Sequence, residues 1–328
     1  MNICALLMDS APYLAPFKKL SNQKGFAAFG QVSNCFTTTS IISFLTGKMP
    51  SDLEKGGIGY ESEFSAGFPV KGKWSWEGKL LLSILEEHDW EIHVYTDNPF
   101  FNDVVSQRFN ITYGDIHSRD FITEIQKPTK KNKFSLVLYN TYHDAIAHKV
   151  SKAEAQQNIQ KCLQNWDFER SDSIFWLFAD HGDYSKITYK ISPTGFMTWA
   201  LLRDNTPNPI KPKTNLISIR DFFPSILQKL NIENGDPIIS AETRAVTCPL
   251  DLNRIYFIED SRSSINKQNS TAFSAVTIDK WSELGGEYDY SQATQFRHFK
   301  HDPLSYGDPH KTISLHQTLT ERFSYEKY

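Results

Sequence analysis

Apolar positions along the chain gather into short runs, and segments with helical spacing lie between them. Residues 3–8, 27–32, 90–96, 134–140 and 173–179 are such runs, apolar with little alternation, the pattern of strands buried on both faces. Residues 197–203 predict a further strand. Helical spacing appears at 11–20, with Pro12 tolerated in a first turn, and again at 76–88, 119–126 and 151–166. A helix-and-strand pair is expected across 99–113. Over 217–231 the apolar positions 222, 223, 226, 227 and 230 form one stripe, as in an amphipathic helix packed on a sheet. Strands that alternate with helices predict an α/β fold: a doubly wound, mostly parallel sheet with helices on both faces. Residues 48–73 are Gly-rich and irregular and are expected to form a loop. Beyond about residue 240 the texture changes. The alternating runs 254–258 and 271–278 predict antiparallel strands of a small C-terminal subdomain.

Composition narrows the function classes. A chain of 328 residues with net charge −3 and pI near 6.4 offers no electrostatic case for nucleic acid or an anionic membrane. No run approaches the length of a membrane span. Cys4, Cys35, Cys162 and Cys248 are widely spaced and form no CxxC pair, the usage of a reducing compartment. Residues 1–9 lack a basic region and a long apolar run. A cytoplasmic location is the expectation.

Chemistry concentrates where strands end. The run 173–179 delivers Asp180, His181 and Gly182, and open α/β sheets place ligands at the carboxyl ends of their strands. Adjacent Asp and His offer an oxygen and a nitrogen to one ion, a mixture that suits zinc or manganese better than calcium. Turn chemistry is the bland alternative. The first run likewise delivers Asp9. Residues 33–47 combine hydroxyl residues, apolar positions 41, 42, 44 and 45, and a closing Gly47, a capped helix with a glycine stop. Its N-terminus would hold free N–H groups suited to an oxyanion; a plain cap would need one of its three threonines. Asp144 and His148 stand four apart, so one helical turn puts both on the same side.

Taken together, Asp9, a hydroxyl at a helix start, Asp144-x-x-x-His148 and Asp180-His181 resemble, in that order, the alkaline phosphatase and sulfatase superfamily. Phe44-Leu-Thr-Gly47 looks like the end of the sulfatase signature helix. Ile219-Arg-Asp-Phe-Phe-Pro-Ser-Ile-Leu227 looks like the sulfatase-type helix. Cys35-Phe36-Thr37 is similar to the nucleophile region of phosphoethanolamine transferases. The likeness spans roughly residues 2–232 and implies a catalytic domain over 1–238 and a strand-rich subdomain over 239–328.

The resemblance implies a metal site of Asp9, Thr37, Asp180 and His181, with Thr37 as nucleophile and Thr38 and Thr39 as neighbouring alternatives. Asp144 and His148 would supply part of a second site. The implied cofactor is one or two divalent ions, zinc first, with manganese or calcium as alternatives. No histidine lies between His181 and His298, so the late ligand would be His310 or His301 from the tail, or Lys190 would replace the ion with a fixed charge. Cys35 lacks the Cys-x-Pro-x-Arg context of formylglycine sulfatases. The implied activity is therefore hydrolysis or transfer on phosphate esters through a covalent phosphothreonine at Thr37. Substrates would be small molecules or lipid and glycan phosphate esters. A sulfuric-ester hydrolase and a degenerate, non-catalytic binding protein are the alternatives.

Overall fold

The computed structural model describes residues 1–34, 37–48, 59–65, 68–75, 80–98, 109–146, 149–182, 197–233, 243–251, 254, 256–260, 270–276, 281–283 and 288–289. In chain order the main domain runs β1 (Asn2–Met8), α1 (Ala15–Ser21), β2 (Phe26–Val32), α2 (Thr37–Thr46), β3 (Gly59–Ser65), β4 (Phe68–Ser75), α3 (Leu81–Glu87), β5 (Glu91–Thr96), β6 (Ile111–Tyr113), α4 (Arg119–Gln126) and β7 (Lys133–Tyr139). It continues with α5 (Thr141–Ile146), α6 (Lys152–Asn165), β8 (Ser173–Ala179), β9 (Met197–Asp204), β10 (Leu216–Ser218), a 3₁₀ turn (Ile219–Asp221) and α7 (Phe222–Leu230). Eight strands form one sheet in the order β10-β2-β9-β8-β1-β7-β5-β6. All pairings are parallel except those of β9, which runs antiparallel to β2 and β8. The expected doubly wound, mostly parallel α/β sheet is what the chain forms.

Strand β1 shows why helices cover both faces. Side chains of a strand alternate between faces. Ile3, Ala5 and Leu7 join one core with residues of α2, α3 and α7, whereas Cys4, Leu6 and Met8 join another with residues of α1, α4 and α6. A run without polar alternation therefore belongs at the sheet centre, and β1, β7 and β8 lie side by side there. Aromatic packing fixes α2 on β8. Phe44 stacks between Phe178 and Phe222, with ring centroids 4.2 and 4.1 Å away. Gly47 ends α2 at φ +67°, and a Cβ there would meet Phe223 at 3.3 Å. Only glycine meets both demands without strain.

Some expectations need correction. Residues 48–73 are not simply a loop: β3 and β4 pair as an antiparallel hairpin with Tyr60 opposite Trp74, Glu61 opposite Lys73 and Glu63 opposite Lys71. Helix α1 starts at Ala15, with Pro16 in its first turn, so Pro12 precedes it. The C-terminal strands appear as expected: β11 (Tyr256–Asp260), β12 (Ser270–Val276), β13 (Trp281–Glu283) and β14 (Tyr288–Asp289) pair antiparallel.

Asp221 is a structural carboxylate. It accepts hydrogen bonds from the Ser218 and Arg244 amides at 2.8 and 3.0 Å, and from Arg254 Nη1 and Nη2 at 2.6 and 2.7 Å. The guanidinium also lies over the Tyr256 ring, 4.6 Å from its centroid. This pair fastens the segment leading into β11 to the start of α7. Asp221 is buried, so Arg254→Ala would strand a charge. A loss of about 3–5 kcal/mol is expected, read as a lowered denaturation midpoint. An unchanged midpoint would show that the pair holds nothing.

Candidate active site

The parallel register of the central strands builds the site. Met8 pairs with both Tyr139 and Ala179, so Asp9, Asn140 and Asp180 follow at the same sheet edge. Helix α2 starts beside them. Asn34 Nδ2 donates to the Thr39 carbonyl at 3.0 Å and to Ser43 Oγ at 2.9 Å. Those bonds hold the first turn of α2 and hence Thr37.

His181 is the hub. Its Nδ1 lies 2.8 Å from the Gly182 carbonyl oxygen. A carbonyl only accepts, so Nδ1 carries the proton and Nε2 presents a lone pair. That lone pair faces Thr37 Oγ1 at 2.9 Å, Asp9 Oδ1 at 3.5 Å and Asp180 Oδ2 at 3.6 Å. Asp9, Asp180 and His181 are all buried, and their ligand atoms lie within 4.8 Å of one another. Asp180 Oδ1 accepts the amides of Ser10 and His181, each at 2.9 Å. Its Oδ2 is buried with no hydrogen-bond partner. A bare carboxylate oxygen beside an imidazole lone pair and a second carboxylate is costly in a dry site. A divalent cation would relieve that cost, and the mixed oxygen and nitrogen donors fit zinc.

The titration of these groups follows from their surroundings. Burial pushes the Asp180 carboxyl up to about 6; the charge of Asp9 adds to this, and the neighbouring His181 ring and the Ser10 amide oppose it. Burial also works to raise Asp9, but His143, His181 and the Ser10 hydroxyl more than offset it and hold the group below the usual carboxylate range. Polar contact with Asp9 raises His143 against its own burial.

Asp9, Thr37, Asp180 and His181 thus come together from three separated stretches. Asp144 stands apart from this cluster. It lies on α5, accepts from Lys149 Nζ at 2.9 Å and from Asn140 Nδ2 at 3.2 Å, and is about one-third exposed. His148, Lys190, His301 and His310 lie outside the described residues. Ser10 escapes sequence reasoning, and His143 is left open by it, as apt to pack or face solvent as to serve as a ligand. Ser10 follows Asp9 and touches Asp9, Asp180 and His181, but a serine after a strand carries no distinguishing signal. His143, on α5, sets Nδ1 3.6 Å from Asp9 Oδ1 with its side chain half exposed. Its neighbours in the Thr141–Asp144 stretch mark it only as one polar residue among several.

No protein-family model and no curated protein matches the sequence. Solved structures do match. A protein in the alkaline phosphatase superfamily from Vibrio parahaemolyticus aligns at TM-score 0.59 and 14% identity, covering 86% of this chain and 76% of that one. Ps i-CgsB, solved in complex with k-i-k-neocarrahexaose, aligns at TM-score 0.59 and 10% identity over 99% of this chain and 98% of its own. The C-terminal periplasmic domain of EcEptC from Escherichia coli aligns at TM-score 0.50 and 10% identity over 78% and 88%. At such identities the likeness lies in the fold. The chain has the fold of the alkaline phosphatase superfamily.

Proposed function

We propose that the protein is a metal-dependent phosphotransferase or phosphoric-ester hydrolase that works through a covalent phosphothreonine at Thr37. One observation carries the reading: Thr37 Oγ1 meets the Asp9–Asp180–His181 cluster, whose buried Asp180 Oδ2 accepts no hydrogen bond and faces His181 Nε2 at 3.6 Å. Those three residues and Thr37 would hold one divalent ion, zinc first. When bound, such an ion supplies positive charge that favours the ionised hydroxyl and the charged phosphoryl oxygens.

The protein groups then have distinct tasks. The Nδ1–Gly182 bond keeps the His181 lone pair turned toward the site. Thr37, its proton lost to water, attacks phosphorus; its Oγ1–P bond forms as the ester oxygen departs. The amide groups opening α2 face the nonbridging oxygens. His143, half exposed and 3.6 Å from Asp9, would give its proton to the departing oxygen. Water or an acceptor hydroxyl then takes the phosphoryl group and frees Thr37. Asp144 with His148 would hold a second ion, completed by His301 or His310, or replaced by the charge of Lys190. A substrate on a glycan or lipid is supported by the oligosaccharide bound to Ps i-CgsB, a structure matching nearly this whole chain.

The test is elemental analysis of the purified protein combined with parallel assays on aryl phosphate, phosphodiester, phosphonate and sulfate esters. Bound divalent ion and phosphate-ester turnover that vanishes with chelator and returns with zinc are expected. Turnover of sulfate esters alone would reassign the protein as a sulfatase. Failure to bind any divalent ion would leave the non-catalytic binding protein.

A further inference from the structure

Four non-glycine residues among those described have positive φ: Ser10, Asp89, Asp172 and Asn231. Asp and Asn tolerate this left-handed region because their short polar side chains bond locally. Serine has no such preference, and Ser10 (φ 57°) is fully buried at the end of β1. Glycine would take the same backbone conformation without steric cost. What serine adds is a hydroxyl.

That hydroxyl and the Ser10 amide reach all three donors of the cluster. Ser10 Oγ donates to Asp9 Oδ1 at 2.8 Å, and its N–H donates to Asp180 Oδ1 at 2.9 Å. Oγ also lies against the His181 ring, 3.4 Å from Nδ1 and 3.3 Å from Nε2. Ser10 thereby holds one oxygen of each carboxylate: Oδ1 of Asp180, whose Oδ2 is left over, and Oδ1 of Asp9, the oxygen that also faces His181. Without the hydroxyl, the Asp9 carboxylate loses its shortest hydrogen bond and keeps only the longer contacts of His143 and His181 to set its rotation beside a second buried like charge.

We propose that Ser10 is a positioning residue whose hydroxyl orients Asp9, and with it the Asp9–Asp180–His181 set, for cation binding. The inference rests on the metal-site reading above. It is tested on the full chain with Ser10→Gly and Ser10→Ala, measuring zinc affinity by competition with a chromophoric chelator and the melting temperature without metal. Both variants lack the hydroxyl and keep the amide; the glycine variant also relieves the backbone. Both are expected to bind zinc about 10–100-fold more weakly, the usual cost of losing a group that orients a ligand. Wild-type affinity in Ser10→Gly overturns the proposal, whether or not Ser10→Ala is weakened or folds, because backbone conformation would then account for Ser10. Absence of zinc binding by the wild type would instead sink the metal-site reading itself, and the Ser10 role with it.

Discussion

Thr37→Ala is expected to lower turnover at least about a thousandfold, equivalent to about 4 kcal/mol of transition-state stabilisation, with metal content little changed. The asymmetry follows from the geometry. Asp9, Asp180 and His181 retain both carboxylates and the imidazole when Thr37 goes, so an ion keeps three donors. The reaction, however, loses the atom that bonds to phosphorus. Thr37→Ser preserves that atom and should stay within roughly tenfold of wild type. Thr39 is a poor substitute: it is fully buried, and its carbonyl is held by Asn34 Nδ2. Steady-state rates on the productive ester, with phosphopeptide mapping of trapped enzyme, decide the matter. Full turnover in Thr37→Ala, or phosphate found on another residue, would remove Thr37 from the mechanism.

The legible part of the site was legible for a physical reason. Strands β1, β7 and β8 lie at the sheet centre, so their runs are apolar on both faces and stand out in sequence. The first polar residues after them, Asp9 and Asp180–His181, therefore announce the edge of the sheet where the buried cluster forms. Helices such as α4, with Ser118 accepting from the Phe121 amide, were equally open because cap and stripe agree.

Other features depend on partners far along the chain. The direction of β9 leaves no trace in composition, since a buried run looks the same read either way. The hairpin of β3 and β4 emerges only when Glu61 and Glu63 are set opposite Lys73 and Lys71. Asp221 sits in a stretch resembling a family helix, but its role becomes clear only with Arg254, which lies 33 residues further along the chain. Asp144 reads as half of a ligand pair by spacing; the fold adds an ion pair with Lys149 that spacing does not reveal. Ser10 depends on a backbone angle that serine does not favour.

Asp180→Asn should make the metal-free protein more stable and the site unable to hold its ion. Asp180 is fully buried, and one of its oxygens has no partner. Asp9 presents a second carboxylate within 4.8 Å, close enough for like charges to repel by roughly 3 kcal/mol at an effective dielectric of about 20. Asparagine keeps the shape and the Oδ1 acceptor for the Ser10 and His181 amides. It also places an N–H donor where the orphaned oxygen stood, facing the His181 lone pair and Asp9. Removing one of two buried like charges should therefore raise stability by about 1–3 kcal/mol. The cation loses a charged ligand in the same step, and affinity should fall by at least about a hundredfold. Stability held back for function is common at active sites, and here both halves are measurable: melting temperature in chelator, and zinc affinity by competition. A variant that melts below wild type in chelator yet binds zinc normally would make Asp180 a structural residue and move the ion elsewhere.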